Sequence, residues 1–476
     1  MSVSSKARQR IDAILDDLSF VEIGADVRAR ATDFGVSRAD TPSDGVITGY
    51  GLIESRLVYV YSQDVSVLNG SVGEMHARKI ARLYDLALKT GAPVIGLIDS
   101  SGMRLQEATD ALSALSLIAD KQTDASGVIP QISVVCGNCG GSMAILCALT
   151  DFVLMEQKDG RFFLNPPDAV SNNYREKCDT SASAFRSAKT PDIDLVCDEA
   201  SLPGQIRTLM SLLPSNNEDD DSFITADDDL NREVSGIEKN CADPAKALSM
   251  IADDALFFET KKAYAPEMAT GFLRLNGQTV AVIANRSVLT DEEGKETARY
   301  EKRLSAAGCK KAAGMIRFAD AFGIPVLVFA DAEGFDADMA DEMYGASHAA
   351  SLLYALKDAT VPKVTLTTGS AYGLAAIVMM SIGKGADFKV MWPSSVIGTM
   401  RAEMAAKILG EGKDADAVRE IEAEYKKLQN SASSAAARGV VDEIIDPKDT
   451  RKYLIGAFEM LYSKREDRPV KKHGAV

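Results

Sequence analysis

The hydrophobic residues of this chain switch between the period of a strand and that of a helix. Residues 45–53 and 56–62 alternate apolar and polar positions around a short turn, which predicts a β-hairpin. A basic amphipathic stretch over 76–89 ends at Gly91, and this spacing predicts a helix with a glycine stop. The apolar run 93–99 predicts a buried strand. Strands that alternate with helices indicate an α/β fold.

The stretch 128–143 combines a buried strand, a glycine-rich turn and a helix start. Its β-branched run 132–135 stops at Gly137, further glycines follow at 140 and 141, and an apolar helical run begins at 144. We predict that the strand breaks at these glycines and leaves backbone N–H groups free. Because glycine has no Cβ, a phosphate or a developing oxyanion can approach such N–H groups closely. A tight turn without a ligand is the alternative for one such stretch alone.

Polar residues also follow the predicted strand 93–99. The segment 100–107 carries serine, arginine, glutamine and glutamate side chains. Ligands of α/β sheets bind beyond the carboxyl ends of the strands, so this segment and the glycine turn are predicted to line one site. The predicted binding residues are Ser101, Gly102, Arg104, Gly137 and Gly140.

The second half of the chain repeats this pattern. The motifs Gly-Ala-Pro-Val at 91–94 and Gly-Ile-Pro-Val at 323–326 stand 232 positions apart. The same spacing relates Asp99 to Asp331, Gly102 to Gly334, Gly137 to Gly369 and Gly141 to Gly373. Such self-similarity indicates an internal duplication. An acidic, Ser/Asn/Pro-containing stretch within 170–245 separates the copies, which predicts two domains of one fold, 1–230 and 231–476.

Charge and cysteine content narrow the function further. The net charge of −16 over 476 residues argues against nucleic acid or an anionic membrane as the main partner. No apolar run approaches the roughly 20 residues that span a bilayer, and no signal peptide pattern opens the chain, so a cytoplasmic protein is expected. The seven cysteines are scattered and are expected to be free thiols. Cys136 and Cys139 have no second pair and no nearby histidine, so no metal site is predicted.

The common catalytic signatures are absent from the sequence. It contains no Gly-x-Ser-x-Gly elbow, no His-Glu-x-x-His pair and no Gly-x-x-x-x-Gly-Lys-Ser/Thr phosphate loop. Two glycine turns in one polypeptide instead suggest a reaction between two carbonyl-bearing substrates. Such chemistry needs backbone donors and positioning rather than a nucleophile and a base.

A further set of motifs runs through the chain in order. They include 58–64, 73–79, 91–97, 104–107, 125–133, 148–152, 213–217, 352–355, 359–364, 371–373, 437–442 and 471–474. In these motifs the chain resembles the carboxyltransferase subunit of biotin-dependent acyl-CoA carboxylases and decarboxylases, the propionyl-CoA carboxylase β-chain type. The resemblance covers nearly the whole chain.

The resemblance implies two tandem crotonase-like domains and an assembly that is commonly a hexamer. Acyl-CoA would lie on the N-terminal domain, and biotin on the C-terminal domain of a neighbouring subunit. In that reaction CO2 passes from carboxybiotin to the α-carbon of a short-chain acyl-CoA of the acetyl- or propionyl-CoA class. The thioester hole would be formed by the N–H groups of Gly141 and Ser142, and the biotin hole by those of Leu374 and Ala375. The other implied biotin-binding residues are Gly334, Phe335, Gly369, Tyr372 and Gly373.

The same resemblance predicts partner chains. No Met-Lys-Met biotinylation motif and no ATP-binding glycine loop occur. Biotin is therefore expected on a carrier protein, and its ATP-driven carboxylation on a biotin carboxylase subunit. The chain also departs from the family pattern. Ser142, Leu374, Arg401 and Met404 stand where relatives commonly have glycine, and Glu333 stands where they have proline. We expect these larger side chains to narrow the biotin pocket.

Three alternatives remain at the level of the sequence. The carboxyltransferase of a sodium-pumping acyl-CoA decarboxylase would use the same site in the opposite direction. A crotonase-like hydratase or thioesterase would need an acid–base carboxylate near the first hole; Glu107 is the candidate by position, although a structural hydrogen-bonding role is preferred for it. A non-catalytic scaffold would follow if the lost glycines had closed the biotin site.

Overall fold

The computed structural model describes residues 5–37, 41–219, 224–291, 293–380 and 382–469. The chain divides into two compact units, 1–222 and 223–476. The boundary predicted after residue 230 therefore falls inside the second unit. The family-like motif at 471–474 lies outside the described residues.

The first unit is built on one eight-stranded sheet. Its strands are β1 (Val21–Ile23), β2 (Val46–Ile53), β3 (Arg56–Gln63), β4 (Val94–Ser100), β5 (Gln131–Gly140), β6 (Phe152–Glu156), β7 (Arg161–Phe163) and β8 (Leu195–Cys197). Its helices are α1 (Lys6–Ile14), α2 (Glu74–Thr90), α3 (Thr109–Ala125), α4 (Ser142–Ala148), α5 (Asn173–Glu176), α6 (Ser183–Lys189) and α7 (Leu202–Leu212). The strand order is β1-β2-β3-β4-β5-β6-β8, and β7 pairs with β5.

The second unit repeats this arrangement. Its strands are β9 (Phe257–Thr260), β10 (Met268–Leu275), β11 (Gln278–Asn285), β12 (Val288–Thr290), β13 (Glu296–Arg299), β14 (Arg303–Leu304), β15 (Val326–Ala332), β16 (Gly334–Phe335), β17 (Lys363–Tyr372), β18 (Phe388–Met391), β19 (Val396–Gly398) and β20 (Glu443–Ile444). Its helices are α8 (Pro244–Ile251), α9 (Ala306–Ala321), α10 (Met339–Asp358), α11 (Gly373–Met379), α12 (Ala402–Leu409), α13 (Ala415–Tyr425), α14 (Ala432–Ala437) and α15 (Thr450–Leu461).

The two sheets share one topology. The second has the order β9-β10-β11-β15-β17-β18-β20, and β19 pairs with β17 as β7 pairs with β5. In each sheet the first three strands are antiparallel and the later ones are parallel. The central parallel strands β4, β5, β15 and β17 are buried along most of their length, as their nearly continuous apolar sequences require. The α/β architecture and the duplication predicted from the sequence are confirmed.

Helices on the first sheet bury its core. One face of the sheet packs against α2 and α3 through a cluster that includes Ile80, Leu83, Ile98, Ile118 and Val135, each at most 1% exposed. Burial on this scale is the main favourable contribution to folding. In the second unit the corresponding cluster surrounds the fully buried Trp392, whose indole N–H donates to the Thr450 hydroxyl as a buried indole requires.

Local expectations were met in part. The predicted hairpin is β2–β3, and Gly49 pairs with Val60 across it. The predicted helix is α2, which ends at Gly91 with a left-handed φ of 60°. The predicted strand break at Gly137 is wrong, because β5 continues to Gly140. It continues because β7 supplies new partners for the last three residues of β5, which a local sequence pattern does not reveal.

Candidate functional site

The carboxyl ends of β4 and β5 bring four predicted site residues together. Ser100 pairs with Cys139 after a shift of register, so the residues that follow β4 lie beside the end of β5. A Cβ placed on Gly102, whose φ is 90°, would lie 3.6 Å from the carbonyl oxygen of Gly140. Ser101 is exposed, and Gly140 and Gly141 are partly exposed. This edge of the sheet is therefore at least partly exposed at Ser101, Gly140 and Gly141, whereas Gly102 is buried.

The turn after β5 presents backbone donors, but not the predicted pair. Gly141 has φ 57° and ψ −118°, and α4 begins at Ser142. The N–H of Gly141 donates to the carbonyl oxygen of Phe163 at 2.9 Å, so its predicted role as a free oxyanion donor is wrong. Within the described part of the chain, the N–H groups of Ser142 and Met143 have no acceptor. The available donors therefore begin one residue later, at the start of a helix, where N–H groups are unpaired.

The corresponding turn of the second unit also contains a glycine with a left-handed φ. Gly373 has φ 56° and a Cβ there would lie 3.3 Å from the carbonyl oxygen of Thr399. Leu374 and Ala375 follow in the first turn of α11, and no acceptor for their N–H groups is recorded among the described residues. The Leu374 side chain is 69% exposed, whereas Ala375 is fully buried.

The match of Gly141 with Gly373 fixes the correspondence between the two turns. Both have a left-handed φ, 57° and 56°, and each stands immediately before the helix donors. The partners of Leu374 and Ala375 are thus Ser142 and Met143. The two pairs of donors predicted from the sequence, 141–142 and 374–375, are therefore offset from each other by one residue.

A buried aspartate lies beneath the first turn. The carboxylate of Asp99 occupies the space beside Gly137, where a Cβ would lie 2.1 Å from its Oδ1. That oxygen accepts the N–H of Asn138 at 3.2 Å. The N–H of Asp99 itself donates to Oε1 of Gln63 at 3.2 Å, and Nη2 of Arg10 lies 2.9 Å from Oδ2. Gly137 is therefore needed because only a residue without a side chain can pack against this carboxylate. It is buried, so its predicted contact with a ligand is wrong.

Asp331 occupies the same place beneath the second turn. A Cβ on Gly369 would lie 2.3 Å from its Oδ1, and that oxygen accepts the N–H of Ser370 at 2.7 Å. The N–H of Asp331 donates to Oδ1 of Asn285 at 3.3 Å. Nζ of Lys302 lies 2.7 Å from Oδ2. Gly369 is therefore needed for the same packing as Gly137, but it is partly exposed, and its predicted contact with biotin stays a prediction.

Arg104 does not face the site. Its side chain is 0% exposed, and its Nη1 lies 2.6 Å from Asp44 and 2.9 Å from Glu107. The remaining donors bond Ser71. The predicted substrate contact is therefore wrong, because every face of this guanidinium is used to fix the loop after β4. Burial raises the pKa of the Asp44 carboxyl, and the charge of Arg104 opposes that rise.

Glu107 has the structural role preferred from the sequence. Its two oxygens accept from Arg104 and from the N–H of Glu74 at 2.7 Å, and the residue is 3% exposed. It caps the first turn of α2, where a negative charge is favourable. A carboxylate so bonded is not available as a general base.

Three further predicted biotin-side residues lie near the second turn. Gly334 and Phe335 form β16, which pairs with β14, and the pairing of Ala332 with Ala371 brings the following residues beside the end of β17. Tyr372 precedes the turn and is partly buried, which raises the pKa of its phenol. All three are partly exposed.

Two departures from the family pattern meet beside this turn. Arg401, at the start of α12, forms an ion pair with Glu333, just before β16. The residues are 68 positions apart, and no local pattern signals the contact. The charges of the larger side chains at 333 and 401 therefore neutralise each other.

The seven cysteines are spread over both units. All seven are free thiols, and no group of three or more His, Cys, Asp and Glu side chains suited to a metal ion occurs among the described residues. Cys139 contacts Cys147 at 3.4 Å between sulfurs rather than Cys136. No helix of the described chain combines the length and apolarity that crossing a membrane requires.

Comparisons with known proteins agree along the whole chain. A model of the carboxyl transferase domain matches residues 4–476. The chain is 38% identical to the methylmalonyl-CoA decarboxylase subunit alpha of Veillonella parvula, over 99% of this chain and 92% of that protein. It is 36% identical to the propionyl-CoA carboxylase beta chain of Roseobacter denitrificans, over 99% and 93% of the two chains.

Solved structures give the same result. A transcarboxylase 12S structure, described as a hexamer with hydrolysed methylmalonyl-coenzyme A bound, matches with a TM-score of 0.89 and 35% identity, over 98% of this chain and 92% of that chain. A single-chain, multi-domain long-chain acyl-CoA carboxylase shares the fold, with a TM-score of 0.77 at 23% identity, over 95% of this chain and 45% of that one. These matches confirm the crotonase-like fold.

Proposed function

This chain belongs to the carboxyl transferase family, and from that premise we propose that it is the carboxyltransferase component of a biotin-dependent acyl-CoA carboxylase. It is an enzyme that acts on an acyl-CoA and on biotin held by a partner chain. In the proposed reaction CO2 moves between that biotin and the α-carbon of a short-chain acyl-CoA. Biotin would supply the nitrogen that carries CO2. The residues of this chain would bind and orient the acyl-CoA and the biotin and stabilise the negative charge that develops on them.

One observation carries the proposal: the same helix-start turn occurs once in each unit, with unpaired N–H groups after Gly141 and after Gly373. Removing the α-carboxylate of an acyl-CoA, or its α-proton, places negative charge on the thioester oxygen. Two N–H groups at a helix start are suited to bind that oxygen, because they are fixed before the charge develops. We assign Ser142 and Met143 to this role.

The second turn is assigned to the biotin side. The N–H groups of Leu374 and Ala375 would bind the ureido oxygen of biotin, which gains negative charge as CO2 leaves the ring nitrogen. The partly exposed residues Gly334, Phe335 and Tyr372 would form the walls. The exposed Leu374 side chain fits an apolar contact with biotin rather than a closed site.

The direction of the reaction depends on the partner chains. Relatives at similar identity are named as decarboxylase subunits and as carboxylase chains, and one site serves both directions. The carboxyltransferase of a sodium-pumping acyl-CoA decarboxylase is therefore the second candidate. An ATP-dependent biotin carboxylase that copurifies with the chain favours the first candidate, and a polytopic membrane protein favours the second.

The substrate class follows the relatives. Those at 36–38% identity are named for methylmalonyl-CoA and propionyl-CoA, so we propose propionyl-CoA, with acetyl-CoA as its shorter analogue. The proposed partners are a biotin carboxyl carrier protein and a biotin carboxylase subunit. The cytoplasmic location expected from the sequence stays a prediction.

A homo-oligomer, proposed as a hexamer, completes the assignment. The matched transcarboxylase 12S structure is described as a hexamer. The second unit also exposes large apolar side chains on three helices: Met339, Met343, Leu374, Met404 and Ile408 are all more than half exposed. Exposed apolar groups of this number favour burial against another protein surface.

The hydratase and scaffold alternatives are less well supported. Glu107, the candidate base of a hydratase, is buried and fully bonded. The scaffold alternative is disfavoured by two observations at the departures from the family pattern: the Leu374 side chain is 69% exposed, and Arg401 is paired with Glu333.

One experiment tests the proposal. The purified full-length chain is incubated with methylmalonyl-CoA or malonyl-CoA, with and without biocytin, and release of CO2 is followed. We expect decarboxylation that biocytin stimulates. Binding of both thioesters without any biocytin-stimulated turnover would overturn the proposal and leave a hydratase or a scaffold.

A further inference from the structure

The two aspartates beneath the turns have the same set of four contacts. Each carboxylate fills the space of a missing Cβ, at Gly137 and at Gly369. Each accepts the next N–H of the strand, from Asn138 or from Ser370. The other two contacts, with a side-chain amide oxygen and with a cation, also recur.

The two units use different residue types to make the same contacts with the aspartate. The amide oxygen belongs to Gln63 in one unit and to Asn285 in the other. The cation is Arg10 in one unit and Lys302 in the other. Packing alone does not require a carboxylate in both copies, since an apolar side chain fills such a space at less desolvation cost.

The contacts act on the end of the strand that leads into each turn. In the first unit the bond from Asn138 fixes β5 three residues before Gly141, and Phe163 fixes Gly141 itself. The N–H groups that follow, on Ser142 and Met143, are thereby held in one direction. Donors stabilise an oxyanion strongly only when they are already oriented.

The paired cation has a separate purpose. An uncompensated carboxylate beneath an oxyanion hole would repel the charge that the hole must stabilise. Arg10 and Lys302 lie 2.9 Å and 2.7 Å from the outer oxygens of the two carboxylates, so each aspartate can hold the strand without a net negative charge below the turn.

We propose that Asp99 and Asp331 are positioning residues for the two oxyanion turns, Asp99 for the acyl-CoA side and Asp331 for the biotin side. The inference rests on the proposed carboxyltransferase function and adds which residues set its two holes. Neither residue touches a substrate in this assignment; each acts through the backbone N–H that it binds.

The test uses four variants of the full-length chain in biocytin-stimulated decarboxylation of methylmalonyl-CoA. Asp99→Ala and Asp331→Ala remove the acceptor, whereas Asp99→Asn and Asp331→Asn retain an oxygen that accepts the strand N–H. We expect each alanine variant to lose about tenfold or more in kcat, since loss of one oriented donor costs about 10²–10³-fold. KM for methylmalonyl-CoA should stay within about twofold, and the asparagine variants should recover part of the rate.

Two aspartates that bind the first residues of β5 and β17, at the ends away from the turns, provide controls. Asp151 accepts the N–H of Gln131 at 2.8 Å, and Asp387 accepts that of Lys363 at 2.8 Å. Asp151→Ala and Asp387→Ala remove the same kind of bond from β5 and β17, far from the turns. We expect them to lower stability without changing kcat per folded molecule.

The outcomes separate the two proposals. If the unaltered chain binds methylmalonyl-CoA but shows no biocytin-stimulated turnover, the proposed function fails. If the unaltered chain is active, and Asp99→Ala and Asp331→Ala lose no more kcat than the control variants, the positioning role is overturned. The positioning role would also be contradicted if the asparagine variants lost as much kcat as the alanine variants while being as stable as the control variants.

Discussion

Arg104 and Asp44 form a fully buried ion pair, with Nη1 of the arginine 2.6 Å from Oδ1 of the aspartate and neither side chain exposed. The other oxygen of Asp44 accepts the N–H of His76 at 2.7 Å. The pair thus joins the segment before β2, the first turn of α2 and the loop after β4. The pair therefore fixes the loop that places Ser101 and Gly102 beside the glycine turn after β5.

Removal of the buried cation should unfold the chain rather than weaken substrate binding. We expect Arg104→Met to lower the free energy of unfolding by about 3–5 kcal/mol, because two buried carboxylates lose the cation that compensates their charge. Urea denaturation measures the change. Arg78→Ala removes the exposed partner of Glu74 on α2 and should cost at most about 1 kcal/mol. A stable Arg104→Met protein with a raised KM for acyl-CoA would restore the role in substrate binding.

Addition of one methyl group beneath either turn should reduce both stability and activity. In Gly137→Ala and Gly369→Ala the new Cβ would meet an aspartate carboxylate, and overpacking of this kind costs about 1–3 kcal/mol. We expect the free energy of unfolding and kcat to fall together. Gly314→Ala, in α9, where the new Cβ would meet nothing within 4 Å beyond the local helix backbone, is the control and should gain up to about 1 kcal/mol.

The exposed leucine at the start of α11 should affect only the biotin side. We expect Leu374→Gly to raise KM for biocytin several-fold, because an apolar contact with biotin is lost, and to leave KM for methylmalonyl-CoA unchanged. Steady-state kinetics with each substrate varied in turn measures both. Ser142→Gly makes the equivalent change in the first unit and should show the opposite pattern. No change in either constant for Leu374→Gly would remove this residue from the biotin site.

His76 should make the chain sensitive to mild acid. Burial lowers its pKa to about 3, and the charge of Arg104 contributes. Its Nδ1 lies 3.0 Å from the carbonyl oxygen of Asp44 and its Nε2 lies 3.3 Å from the amide nitrogen of Gln63, so the neutral ring donates at Nδ1 and accepts at Nε2. A proton on Nε2 would face a donor.

The sign of the effect follows from the lowered pKa. Below pH about 6.5 the unfolded chain binds a proton that the folded chain does not, so the stability that His76 contributes is complete above pH 6.5 and declines towards pH 3, by about 1.4 kcal/mol per pH unit. Urea unfolding at pH 7.5 and 5.5 should show a smaller decline for His76→Gln than for the unaltered chain. Equal declines would place the acid sensitivity elsewhere.

Much of the architecture could be predicted because it rests on local pattern and on duplication. The hairpin β2–β3, the helix α2 with its stop at Gly91, and the place of both glycine turns follow from hydrophobic period and glycine position. The spacing of 232 residues also identified Asp99 and Asp331 as equivalent positions, although their proposed role follows only from their contacts in the structure.

The sequence by itself determined that this protein is a duplicated α/β chain with a glycine turn after the same strand in each copy. Only the tertiary structure decided which atoms are available there. Pairing with β7 extends β5 through the glycines, the Phe163 carbonyl occupies the N–H of Gly141, and Arg104 is buried among carboxylates. Each of these outcomes depends on a partner remote in sequence, and hydrogen-bond satisfaction between such partners is fixed only when the chain has folded.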